Sequence, residues 1–108
     1  MTRCSPTLSP RPGCPHRRLR NLLAGVLPIG MTIGTSIFRH WASANFVGAR
    51  HIFPCGLAAG DAQAISVALQ DALSAAEWTL PGHIVADVVT ECGTAPDALQ
   101  IEILTVEN

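Results

Sequence analysis

Residues 61–78 read DAQAISVALQDALSAAEW, and the stretches 83–92 and 98–107 that follow read HIVADVVTEC and ALQIEILTVE. The first is built from Ala, Leu and Gln, which lose little on entering a helix. Asp61 stands where its carboxylate can accept the free amide protons of a first turn, and Pro81-Gly82 ends the element after Trp78. Ile65, Leu69, Ala72, Leu73 and Ala76 recur at spacings of three and four, while Gln63, Ser66, Gln70, Ser74 and Glu77 lie mostly away from that stripe. The sequence therefore predicts an amphipathic helix that packs by one face, its stripe being core rather than a cofactor contact.

The two later stretches alternate as strands do, over His83–Cys92 and Ala98–Glu107. A slip of one residue would turn every side chain to the other face, so the apolar sets fix the register. The cleaner set of the earlier strand is Ile84, Ala86, Val88, Thr90 and Cys92; that of the later is Leu99, Ile101, Ile103 and Thr105. They share a face if Cys92 lies opposite Leu99, Thr90 opposite Ile101 and Val88 opposite Ile103. Gly93 then meets Ala98 across a loop from Thr94 to Asp97, a common hairpin length. The opposite face is not fully polar, because in this register Val85 meets Val106, Asp87 meets Leu104 and Val89 meets Glu102. Aliphatic groups standing in a patch call for a cover.

Upstream, Asn45–Phe53 (NFVGARHIF) mixes aromatic and β-branched residues, stops at Pro54 and reads as a strand, with Cys55–Gly60 as a loop. The expected fold is α+β, in the order β-α-β-β: one helix on a three-stranded mixed sheet, the first two strands parallel and joined by the helix. Dodecins, small oligomeric flavin-binding proteins, resemble this chain in that order of elements; the resemblance is one of topology and carries no residue over. Asn45–Asn108 is a short chain for a domain and buries only about 60% of its unfolded surface. Self-association through Val85, Val89, Leu104 and Val106 is the simplest cover for the outer face. The alternatives are that Leu22–Phe38 folds back over it, or that the patch is tolerated.

The 108 residues divide sharply by charge. All seven arginines lie in residues 1–50, which hold no acid, and all eight acids lie in residues 51–108, which hold no basic residue other than histidine. The half that reads as folded is acidic and repels phosphate, so a nucleic-acid partner is not expected. Met1–Arg20, with Pro6, Pro10, Pro12 and Pro15, reads as disordered and as contributing nothing to the fold. Leu22–Phe38 is an uncharged run preceded by Arg17, Arg18 and Arg20, and residues 1–44 together form a basic leader ahead of a domain over 45–108. The run is short for a membrane span and broken by Gly25, Pro28, Gly30 and Gly34, so membrane contact requires it to insert despite them. Arg17-Arg18, the glycine-bearing apolar middle, Arg39 and the small-x-small Ala42-Ser43-Ala44 resemble a twin-arginine export signal, although Arg20 and Asn21 stand where that signal is apolar. Translation from an upstream start, with Met31 as a later one, produces the same composition. Cytoplasmic and exported locations both remain open.

Chemistry-bearing residues are few. Cys4, Cys14 and His16 lack the close spacing and the fourth ligand that a tetrahedral metal site needs. His83 and Asp87, four apart on a strand, are separated by about 13 Å; His51 and Cys55 are equally far apart unless Pro54 turns the chain. Cys55, with Arg50 and His51 nearby, is the expected reactive thiol, and Cys92, on the core face beside Glu91, the slow one. A Cys55–Cys92 disulfide is within reach if their strands are neighbours, about 4.8 Å apart, and out of reach if the third strand lies between them, about 9.6 Å. The sequence thus points to an assembly or binding module with no cofactor or metal expected, with a thiol-dependent enzyme or redox protein using Cys55 and Cys92 as the alternative.

Overall fold

The computed structural model describes residues 15–108, in the order α1 (His16–Val26), β1 (Met31–Ile33), β2 (Ile37–Ala42), β3 (Val47–Leu57), α2 (Ala62–Ala75), β4 (His83–Cys92) and β5 (Ala98–Glu107). The α+β class holds, but the sheet has five strands rather than three and every pairing is antiparallel. The order across it is β1-β3-β5-β4, with β2 also on β3. Both β1 and β2 lie on the edge of β3 away from β5, and together they form one interrupted edge strand. Between Ile33↔Cys55 and Ile37↔Ile52 that strand takes four steps against three on β3, which is a bulge. The β3-α2-β4 unit keeps its two strands running the same way, yet they are not neighbours, because β5 lies between them.

Met1–Cys14 lies outside the described residues; from His16 the chain is helical, contrary to the disorder expected as far as Arg20. Leu19, Leu22 and Leu23 explain the difference: their spacing makes an apolar stripe that begins among the arginines and continues past them. Leu19 and Leu23 are wholly buried, in one cluster with Phe53, Leu69, Leu73, Ile101 and Ile103. Leu22–Phe38 supplies the second half of α1, then β1 and the start of β2. Among the described residues no helix is long and apolar enough to cross a membrane. Ala42-Ser43-Ala44 runs from the end of β2 into the hairpin to β3, where Ser43 N–H donates to the Phe46 carbonyl at 2.7 Å.

α2 starts as expected, the Asp61 carboxylate accepting the Gln63 N–H at 3.0 Å. It ends at Ala75, three residues before Trp78. Its buried stripe is Ala62, Ser66, Leu69 and Leu73, so Ser66 is inward while Ala72 is exposed. Ser66 is tolerated there because its hydroxyl lies 3.2 Å from the Thr90 hydroxyl.

β3 runs through Pro54 to Leu57 instead of stopping at Phe53. A strand residue aims its N and O to the same side, and the Pro54 carbonyl accepts Gly34 N–H at 2.7 Å. Its missing donor therefore faces the bulged edge, where a sheet accepts proline. Gly48 is required for a different reason. A Cβ there would meet the Thr105 carbonyl oxygen and lie 3.0 Å from the Trp41 ring.

The β4–β5 register is the expected one from Asp87 to Cys92, with Cys92↔Leu99, Thr90↔Ile101 and Val88↔Ile103, and Gly93 N–H donates to the Ala98 carbonyl. A bulge at Ala86 changes the remainder. Below it Val85 pairs with Thr105 and packs against the core, and Ile84 takes the outer position opposite Val106.

Candidate functional site

Both helices bury their leucines in the same cluster, on the face of the sheet carrying Phe53, Ile101 and Ile103. No helix among the described residues lies on the other face. The pairings lay that face out in rows from β2 to β4. One row is Trp41, Gly48, Val106, Ile84; the next is Arg39, Arg50, Leu104, Asp87; the third is Ile37, Ile52, Glu102, Val89. Of the residues expected here, Val89, Leu104 and Val106 are present, while Val85 has turned inward. Ile84, Ile37, Ile52 and Trp41 were missed. Ile84 was assigned to the core because the bulge leaves no mark in the alternation, and the β2 residues because their segment was read as leader. Ile84 and Ile37 are 53% and 47% exposed. Arg50 Nε pairs with Glu102 Oε2 at 3.1 Å across the middle of the face, so the two central charges neutralise each other.

The sheet edges, by contrast, are each capped over a short stretch. On β4 the Gln70 side-chain amide donates to the Val88 carbonyl at 2.7 Å and accepts the Thr90 N–H at 2.7 Å. A neighbouring peptide group would make the same two bonds. Asp87 Oδ1 accepts Val88 N–H at the bulge. On the far edge the Arg20 guanidinium donates to the carbonyls of Gly34 and Ile33 at 2.9 and 3.2 Å. Each helix thus sends one side chain down to cap part of an edge that would otherwise template another strand.

Beneath α1 runs a chain of polar contacts that the sequence did not announce. His51 is wholly buried on β3, with Nε2 2.9 Å from the Thr105 hydroxyl and Nδ1 2.9 Å from His16 Nδ1. His16 Nε2 is 2.9 Å from the Ser36 hydroxyl, which accepts from Arg20 Nη1 at 3.1 Å. One arrangement of protons satisfies every link. Thr105 donates to the Ala49 carbonyl at 3.3 Å, so its oxygen accepts from His51 Nε2–H. His51 Nδ1 is then bare and accepts from His16 Nδ1–H, and His16 Nε2 accepts from Ser36. Both rings are neutral. Burial lowers His51 to about 3, and repulsion from any proton on His16, His83 or His40 acts in the same direction; burial and then Arg20 lower His16 to about 4. The rings of Phe38 and Phe53 lie 4.7 and 5.2 Å from the His16 ring. No carboxylate takes part in this arrangement of the described residues, the Ser36 hydroxyl is shared between His16 and Arg20, and what the contacts do is fasten α1 to β3.

The thiols stand opposite to expectation. Cys55 is buried, 5% exposed, and desolvation pushes it up to about 11, against a smaller opposite pull from Arg20. Cys92, at the end of β4, is exposed, its Sγ 3.4 Å from Gln63 Oε1. Both pair with Leu99, one from each side, which places β5 between their strands and puts a disulfide out of reach. His51 and Cys55 lie on the same face of a strand that Pro54 does not turn, so they stay about 13 Å apart. A cleft of about 230 Å³ between the end of α2 and the β4 bulge, lined by Leu73, Ser74, Trp78, Val85 and Asp87 among others, has Asp87 as its ionisable lining residue. Among the described residues no group of three or more His, Cys, Asp or Glu side chains could hold a metal ion. Compared with models of protein families, with curated proteins and with solved structures, the chain matches none.

Proposed function

We propose that this chain is an assembly module that pairs with a second copy of itself through the helix-free face of its sheet. The observation that carries the reading is that face itself: Trp41, Ile84, Ile37, Ile52, Leu104 and Val106 stand together on a rigid sheet with both helices on the other side. Monomeric proteins seldom leave so broad an apolar patch in water. Partial capping of both edges favours face-to-face association over strand addition, Gln70 holding the Val88 carbonyl and Thr90 N–H and Arg20 the carbonyls of Ile33 and Gly34.

Val89→Glu tests the reading by light scattering. It places a second carboxylate opposite Glu102 within the contact, where repulsion and desolvation both oppose assembly. Wild type should scatter as a dimer and the variant as a monomer with unchanged circular dichroism. A wild type that is monomeric at high concentration sinks the proposal.

A further inference from the structure

Resting on that reading, we infer that the second copy sits with its two-fold axis parallel to the strands, so that the basic side of one sheet covers the acidic side of the other. Two sheets stacked face to face about a dyad in the plane between them have two aligned choices. An axis along the strands reverses the strand order and sets β2 over the partner's β4. An axis across the strands keeps the order and sets β2 over β2.

Charge separates these choices. Across one row the face runs Arg39, Arg50, Leu104, Asp87, and Glu91 stands further along β4. With the axis along the strands this row lies on its own reverse, so Arg39 comes over the partner's Asp87, and by symmetry the pair forms twice. With the axis across the strands Arg39 and Arg50 of both copies gather at one end and the acids at the other, which opposes contact.

Shape separates them in the same direction. The row Trp41, Gly48, Val106, Ile84 is apolar throughout and, laid on its own reverse, sets Trp41 against the partner's Ile84 and Val106 against the partner's Gly48. Gly48 keeps that position flat, since the Thr105 carbonyl and the Trp41 ring already fill the space beside it. Across the strands, the same row would lie over a different row, one that carries charge. Both choices keep the strands aligned, with the offset of about 30° that the twist of stacked sheets gives.

Sedimentation equilibrium of the full chain at 50 and 500 mM sodium chloride reads the axis. Two exposed ion pairs are weak and screened by salt, so the dissociation constant should rise by roughly 2- to 30-fold at the higher salt. Arg39→Asp should weaken the dimer at low salt and reverse the response, salt now strengthening it, because the new aspartate faces the partner's Asp87. Joining Arg39→Asp with Asp87→Arg should restore the wild-type behaviour. Asp87 also holds Val88 N–H, so if that double variant fails to fold, the reversed salt response of Arg39→Asp alone decides. A dimer that salt strengthens in the wild type, or that ignores Arg39→Asp, overturns the axis and leaves the assembly function standing. A monomer in every condition overturns both.

Discussion

Acid should loosen this fold between pH 7 and pH 5, and the two neutral histidines set the size of the effect. In the unfolded chain each imidazole takes up a proton near its ordinary value of 6.5; in the folded chain His51 stays neutral to about 3 and His16 to about 4. The unfolded state therefore binds more protons throughout that window, and stability falls as pH falls. At about 1.4 kcal/mol per pH unit, His51 alone removes about 2 kcal/mol on going from pH 7 to pH 5. His16 adds less, because it is only part-buried. Forcing a proton onto the folded chain is no escape. A proton on His51 Nδ1 would face His16 Nδ1–H; His16 would have to move its own proton to Nε2, toward a serine that already receives Arg20. The chain ends on a guanidinium, which cannot accept a proton. Urea unfolding at pH 7, 6 and 5 should show the midpoint falling by about 1–2 M, taking a slope of about 1–2 kcal/mol per molar for a domain of this size. His51→Leu should be less stable at pH 7 and lose most of the dependence. A midpoint that stays level from pH 7 to pH 5, or one that falls equally in His51→Leu, refutes the neutral-pair reasoning.

Leu23→Ala should cost about 2–5 kcal/mol, since a wholly buried leucine leaves a cavity among Leu19, Phe53 and the α2 leucines; a thermal midpoint within error of wild type would show that α1 does not pack as described. Iodoacetamide with peptide mapping should label Cys92 well before Cys55, which is buried and keeps its proton to about pH 11; Cys55 reacting first contradicts the placement of both. Gln70→Leu should leave the Val88 carbonyl and Thr90 N–H without their side-chain partner, lowering stability by about 1–3 kcal/mol and opening the β4 edge. Size-exclusion chromatography should show species larger than a dimer, and an unchanged profile would mean that the amide does not guard the edge.

The part of the fold legible in the sequence is the part where one period runs uninterrupted. α2 shows its cap and stripe, and β4 with β5 shows bounds and upper register, because 3.6- and 2-residue patterns there meet no competing signal. The bulge at Ala86 leaves the strand reading as HIVADVV, an alternation that looks continuous, so Val85 and Ile84 exchange faces unannounced. Pro54 reads as a stop because a sequence does not reveal which side of a strand its nitrogen will face. Composition misled most at the N-terminal end: prolines and arginines as far as Arg20 conceal that Leu19, Leu22 and Leu23 form a helical stripe, and without α1, β1 and β2 the sheet looks complete at three strands. The His16–His51 contact joins residues 35 apart, and no local pattern marks it. The outer face was legible in half, through Val89, Leu104 and Val106; its other half waited on β2, on Ile52 of β3 and on the bulge that turns Ile84 outward.

Sedimentation velocity of the unaltered full chain, over a hundredfold range of concentration at pH 7.5 and low salt, tests the central claim most directly. The proposed assembly predicts a single boundary at low concentration that moves to a faster one as concentration rises, with a limiting mass of twice the chain and a shape compact enough for two stacked sheets. A sedimentation coefficient that stays at the monomer value across the whole range contradicts it.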